Sequence, residues 1–107
     1  MPAIIATSEH LCQTGSGKRF TLSIALRAPV RQEGGPWACA VILDGLTDRE
    51  RNIYGEDSLQ ALGLALALVR EELQSFAQSG GRFLDPESGE AWAIDEYLND
   101  FPSRHSG

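Results

Sequence analysis

The chain has 107 residues, a length that fits one domain with a single modest hydrophobic core. Hydrophobic residues make up 42% and charged residues 22%, a composition that is typical of a globular protein and excludes wholesale disorder. Fifteen acidic against nine basic residues give a net charge of −6. We therefore expect no nucleic acid and no anionic membrane as partner, because both attract cationic surfaces.

The sequence also indicates a compartment. No segment approaches the roughly 20 apolar residues that a membrane span requires. The apolar run at residues 3–6 is short and lacks the basic lead of a signal peptide, so we expect a cytoplasmic protein. Cys12 and Cys39 are too few for a disulfide scaffold, and in a reducing compartment they are expected to be structural thiols.

Alternating hydrophobicity predicts strands through the first half of the chain. Residues 3–12 form the first predicted strand, and residues 19–26 show the clearest alternation of apolar and polar side chains. A flexible loop is expected at residues 30–36. The more uniformly apolar residues 37–43 are typical of a central strand that is covered on both faces, and a fourth strand is predicted at residues 49–54.

One long helix is predicted at residues 57–79. Asp57 is a suitable N-cap, and Gln60 stands three residues later, as in a capping box. Gly80 supplies a left-handed stop. Apolar residues recur at steps of three and four and are expected to face the sheet: Leu59, Leu62, Leu66, Val69, Leu73 and Phe76.

The C-terminal part predicts smaller elements. Residues 82–84 and 91–94 flank a polar link with a proline and a glycine, which indicates a hairpin. Residues 95–101 are expected to form a helical turn or a docked tail, and residues 102–107 to be frayed. The predicted fold class is therefore α+β: a single domain (1–107) with an antiparallel β-meander of four to six strands and one long α-helix packed across one face.

Two leucines are expected to give the helix a second apolar face. Leu64 and Leu68 lie about half a turn away from the main stripe, so a helix covering the sheet with one face would leave them in water. The prediction is a homodimer in which this ridge pairs with its copy. The alternative is that the tail, with Tyr97, Leu98 and Phe101, folds over the ridge.

Three side chains are candidates for chemistry. His10, Cys12 and Cys39 offer soft metal ligands or a thiol–imidazole pair. Cys39 has no second ligand near it in sequence, so the favoured interpretation is buried thiols and no metal or cofactor. The glycines before Lys18 do not match a phosphate-binding loop, because a strand rather than a helix follows them.

Four arginines near strand ends are candidates for anion binding. Arg27, Arg31, Arg49 and Arg51 form two pairs that would suit a carboxylate or phosphate ligand. Salt bridges with neighbouring glutamates are the simpler interpretation.

The start of the helix carries a resemblance to a known family. The run from Tyr54 to Leu62 (YGEDSLQAL) resembles small bacterial domains of unknown function, whose members show a Tyr-Gly-x-Asp-Ser-x-Gln-Ala-Leu run that enters a helix. Trp37 and Cys39 match a preceding segment of that family. The resemblance covers roughly residues 5–80 and implies a stand-alone bacterial protein with no established activity.

Function is therefore predicted only as a class. We expect a non-enzymatic protein-interaction module that binds a protein partner, for example as an inhibitor-like or immunity-like protein. The alternative is a small-ligand binder or an enzyme that uses His10, Cys12 and Cys39 or the arginine pairs. A concave pocket with convergent polar groups would favour the alternative, and a surface without one the interaction module.

Overall fold

The computed structural model describes residues 1–103, which form one seven-stranded sheet with a long helix across it. The predicted α+β fold is confirmed. The elements in chain order are β1 Ile4–Gln13, β2 Arg19–Arg27, β3 Val30–Arg31, β4 Trp37–Asp44, β5 Arg51–Gly55, α1 Ser58–Gln78, β6 Arg82–Leu84, β7 Ala91–Trp92 and α2 Ile94–Leu98.

All strand pairs are antiparallel, in the order β3-β4-β2-β1-β6-β7, with β5 also paired to β4. The prediction of a plain loop at residues 30–36 is wrong at its start, since Val30 and Arg31 pair with the beginning of β4. After α1 the chain returns to the first strand, because β6 pairs with the end of β1. This return places the C-terminal elements beside the N-terminal strand.

The predicted ends of α1 are confirmed. The Asp57 carboxylate accepts a hydrogen bond from the backbone N–H of Gln60 at 2.7 Å, and the Gln60 side chain accepts one from the Glu56 N–H at 2.6 Å. The first bond satisfies a donor that the first turn of a helix leaves unpaired, and the second fixes the residue before the N-cap against the helix. At the other end Gly80 has a φ of 99°, a left-handed conformation that favours glycine.

The stripe predicted to face the sheet is confirmed except at its first residue: Val69 and Leu73 lie in the core, and Leu62, Leu66 and Phe76 pack against it. Leu59 was expected in the core, but 78% of its surface is exposed, whereas Leu68 is only 2% exposed. The helix is rotated so that its alanines face inward, with Ala61 and Ala65 fully buried. A side-chain carbon added at Gly55 would lie 2.5 Å from the backbone nitrogen of Ala61, so the last residue of β5 and the first turn of α1 are in close contact.

Only one face of the sheet is covered by helices in the described part of the chain. The prediction that β4 is covered on both faces is confirmed only in part: residues on both of its faces are buried, but a helix covers one face alone in the described chain. Its odd-numbered residues Cys39, Val41 and Leu43 belong to the core under α1. Ala38 and Ala40 point the other way, and they are buried because they are small and lie between neighbouring strands. No helix in residues 1–103 is long and apolar enough to cross a membrane.

Candidate functional site

The first half of β1 forms an open edge of the sheet. All of β1 pairs with β2 on one side. On its other side β6 pairs only with residues 11–13. Within the described chain, no strand pairs with this side of residues 4–10, and we call this segment the open edge of β1.

The backbone groups that point outward from this edge follow from the ladder. The Thr14 N–H donates to the Lys18 carbonyl at 2.8 Å where the β1–β2 hairpin closes. Residues of an antiparallel strand bond alternately to one side and the other, so even-numbered residues of β1 bond to β2. Thr7 and Glu9 therefore direct their N–H and C=O groups away from β2, toward the open edge. Any segment that added to the sheet here would bond to these two residues.

An apolar groove runs beside the open edge on the helix side. It has a volume of about 80 Å³, several times what one water molecule needs. Its floor lies over Ala6 and Ser8, the small residues of β1 that face α1 and pair with Leu26 and Ile24. Larger side chains at these two positions would fill the space. The groove is lined by Ala6, Thr7, Ser8, Ile24, Leu26, Leu66, Val69, Tyr97 and Phe101.

The wall of the groove that α2 provides is held by aromatic contacts. Tyr97 contacts the His10 ring edge-on at a centroid distance of 5.0 Å, and Phe101 lies 5.3 Å from Tyr97. The Arg70 side chain donates a hydrogen bond of 2.7 Å to the Phe101 carbonyl. Contacts between aromatic rings such as Tyr97 and Phe101 contribute about 0.5–1.5 kcal/mol beyond their buried area. Residues 97–101 are thus fixed against α1 and β1.

His10 is a structural member of this aromatic group. Its ring lies 6.2 Å from the rings of both Phe83 and Trp92, and its Nε2 shares a hydrogen bond of 3.0 Å with the Ser8 hydroxyl. Burial among these rings lowers the pKa of His10 below its usual value, because the imidazolium form loses its hydration. Neutral His10 therefore suits this position better than the charged form.

The structure does not bring the predicted soft ligands together. Cys12 pairs with Phe20 at one end of β2, and the Cys39 thiol donates to the Arg27 carbonyl at 3.3 Å at the other end. Seven residues of extended chain span roughly 23 Å. His10 and Cys12 share one face of β1, but among residues 1–103 no group of three or more candidate ligands could hold a metal ion.

Both thiols are inaccessible and protonated. Cys12 and Cys39 are completely buried and free of disulfide bonds. Burial raises the pKa of Cys12 to about 11 and raises that of Cys39. A thiol is a nucleophile only as the thiolate, so both residues are placed to pack rather than to react.

The predicted arginine pairs are partly neutralised. Arg27 forms an ion pair of 3.4 Å with Glu50, and Arg51 one of 2.9 Å with Glu72. These contacts lie at or near the surface, where such pairs contribute little to stability. The glutamate partners leave these two arginines less available to an anionic ligand.

The predicted outer ridge of α1 is wrong for one of its two leucines. Leu68 belongs to the core of the single chain, because the rotation of α1 turns it inward. Leu64 is half-buried. A homodimer stays a prediction, but Leu68 is not available to form its interface. Ala61 and Ala65 likewise belong to the core of the single chain.

A larger cleft of about 410 Å³ lies between the end of α1, the β6–β7 hairpin and the start of α2. Trp92 and Phe83 contribute apolar surface, and Arg82 and Asp95 are exposed. In the described part of the chain no polar or charged residue is buried. The cleft thus lacks the convergent buried polar groups that mark most ligand sites.

Sequence reasoning missed the residues that make the groove. Ala6 and Ser8 read as ordinary strand residues, and Tyr97 and Phe101 were assigned to a docked tail without a position. The available signal was the pair of small residues at alternate positions of the first strand. The groove beside them could not be predicted, because it depends on the pairing of β6 with β1.

Fold and surface together define a small α+β domain with one helical layer and an open strand edge, and no polar or charged residue is buried in residues 1–103. Residues 9–92 match a family described as a domain of unknown function, DUF6968, and the chain belongs to that family. The resemblance to a family of unknown function is confirmed at this level, and the match reaches past α1 into β6 and β7. No curated protein and no solved structure matches the chain significantly.

Proposed function

We propose that the protein is a non-enzymatic interaction module that binds an extended polypeptide segment as an added strand along the open edge of β1. The observation that carries the proposal is the position of the apolar groove directly beside that edge. Recognition by strand addition uses main-chain hydrogen bonds for affinity and adjacent pockets for alternate side chains. The open edge offers the main-chain hydrogen bonds, and the groove offers a pocket for side chains.

The composition of the edge supports the proposal. Proteins usually block exposed strand edges with lysine, proline or a covering element, because a bare edge pairs with other chains. Residues 4–10 contain no lysine and no proline. A register shift between Ile4 and Ala6 interrupts the ladder with β2 at its start, and beyond it the pairing is regular through Gln13. Ile5 is 51% exposed beside this regular part.

The remaining candidate groups support binding over catalysis. The two thiols are buried with raised pKa values, and His10 is engaged with Ser8 and three aromatic rings. Nucleophilic catalysis needs an accessible nucleophile beside a base. Neither cysteine meets this requirement in the folded chain.

A substitution of Thr7 by proline tests the proposal. Proline lacks the N–H that points outward from the edge, but it leaves the hydrogen bonds between β1 and β2 in place. Thr7→Val is the matched control, because it keeps the N–H and nearly the same shape. Peptides selected from a displayed library of random linear sequences on the wild-type protein are titrated into all three proteins by calorimetry.

We expect wild type and Thr7→Val to bind the selected peptides with similar affinity and Thr7→Pro to lose binding while remaining folded by circular dichroism. A second variant, Ala6→Leu, fills the groove and should also lose binding, with no loss of stability. Peptides that bind Thr7→Pro and Ala6→Leu as well as wild type would refute strand addition, as would a selection that yields no binding sequence.

A further inference from the structure

Resting on the proposed strand addition, we infer that the bound segment is basic and amphipathic: it alternates branched apolar side chains with lysine or arginine. Alternate residues of an added strand point to opposite faces of the sheet. One set of its side chains enters the groove, and the other set lies on the uncovered face. The two faces beside the open edge differ in chemistry, so each selects its own type of residue.

The groove face selects branched aliphatic side chains. Leu66, Val69 and the two aromatic rings of the C-terminal wall surround a space of about 80 Å³. Its walls contain no charged side chain. A lysine or glutamate placed here would lose hydration without gaining a partner, which is costly. Valine or isoleucine fits both the small volume and the extended backbone.

The opposite face selects cationic side chains. Glu9 is exposed on that face, where its neighbour on β2 is the uncharged Ser23. Glu96 and Asp100, next in sequence to Tyr97 and Phe101 on the helix side, are exposed as well and contribute to the negative charge of the chain. Opposite charges on facing strands attract, and like charges repel. A net charge of −6 adds a long-range attraction for a cationic segment.

The basic groups close to the edge are already occupied. Arg70 donates to the Phe101 carbonyl, and Arg27 is bonded to Glu50 and to the Pro2 carbonyl. An acidic segment would therefore meet Glu9 on the uncovered face, while Arg27 is already paired with Glu50. The charge distribution around the edge favours a basic partner.

A second copy of the chain fits the edge less well. Antiparallel pairing of two β1 strands about Thr7 would place Ala6 of each copy opposite Ser8 of the other. These small side chains would leave both grooves unfilled, and each copy carries the charge of −6 toward the other. Unfilled apolar space forfeits contacts that a larger side chain would gain. A foreign segment with larger side chains uses the groove fully.

Three capped heptapeptides test the inference by fluorescence anisotropy: alternating valine and lysine, alternating valine and glutamate, and alternating serine and lysine. They are titrated into wild type, Thr7→Pro and Glu9→Lys. Glu33→Lys, in the loop before β4, is the matched control for the change in net charge. Light scattering of each protein without peptide records its oligomeric state.

We expect wild type and Glu33→Lys to prefer the valine–lysine peptide over the valine–glutamate peptide by roughly tenfold at low salt. Glu9→Lys should remove or reverse this preference, and added salt should reduce it in wild type. The serine–lysine peptide should not bind, because it leaves the groove empty. Thr7→Pro should bind none of the three peptides.

Equal binding of the two valine peptides would overturn the charge assignment, and equal binding of the serine–lysine peptide would overturn the apolar one. In either case, loss of binding in the Thr7→Pro variant would still support strand addition at the open edge. Binding that Thr7→Pro leaves unchanged would overturn the proposed function instead. If wild type is a dimer and Thr7→Pro is a monomer, the segment bound at the open edge is a second copy of the chain, and the inference is wrong. If none of the three peptides binds, the inference is also wrong.

Discussion

The stabilities of two leucine-to-alanine variants of α1 test which face of the helix packs on the sheet. Leu68 is 2% exposed within the core, and Leu59, at the first turn, is 78% exposed. Replacing a buried leucine by alanine removes its transfer energy and leaves a cavity, at a cost of about 2–5 kcal/mol. We expect about 3 kcal/mol for Leu68→Ala. Leu59→Ala should change the free energy of unfolding by less than about 0.5 kcal/mol, as exposed substitutions do.

Urea denaturation followed by circular dichroism measures both variants under the same conditions. The midpoint for Leu68→Ala should fall clearly while the slope stays that of wild type, which shows that stability rather than the unfolded state has changed. The two variants carry the same chemical change on the same helix, so differences in helix propensity cancel. A loss below about 1 kcal/mol for Leu68→Ala, or an equal loss for Leu59→Ala, would refute the rotated packing of α1.

Two further predictions concern glycines and His10. Gly55→Ala should destabilise the fold, because its new carbon would meet the backbone of Ala61. Gly63→Ala, with open space around it, should stabilise α1 by up to about 1 kcal/mol. Thermal melts of both variants check this, and a Gly55→Ala variant as stable as wild type would contradict the close contact. His10 has a lowered pKa in the folded state, so the unfolded chain binds its proton first as pH falls below about 6.5. Stability attributable to His10 should therefore be complete above this pH and decrease below it, and a His10→Phe variant should show a smaller decrease between pH 7 and 5 in urea denaturation; an identical decrease would contradict the assignment.

The local parts of the fold could be predicted because their signals are local. Asp57 and Gln60 mark the start of α1 and Gly80 marks its end through bonds and dihedral angles that involve only neighbouring residues. The alternation of apolar and polar side chains in β2 is also a local signal, because it requires only that one face of the strand be buried.

The rotation of α1 was not predictable from hydrophobicity, because a pattern of leucines gives little weight to alanine. Ala61 and Ala65 face the sheet since the small Gly55 lets the helix approach closely. Leu59 lies in the first turn of α1 and is mostly exposed. Close packing of small residues thus turns α1 away from Leu59, while the rest of the predicted stripe still lies in or against the core.

The candidate site could not be predicted because it joins three distant parts of the chain. The open edge exists because β6 pairs with only the last residues of β1, and the groove exists because α2 then lies beside Ala6 and Ser8. Neither pairing has a sequence signal that reaches across some seventy residues. The apolar residues Tyr97 and Phe101 predicted a docked tail but not its partner.

Amide hydrogen exchange at Thr7 and Glu9 tests the central claim most directly. In the free protein these two N–H groups point outward from the open edge and should exchange quickly, whereas those of Ser8 and His10, which bond to β2, should be protected. Binding of the valine–lysine peptide should slow exchange at Thr7 and Glu9 to the rate of their neighbours. Protection of Thr7 and Glu9 already present in the free monomer, or a complex in which their exchange stays fast, would contradict strand addition at this edge.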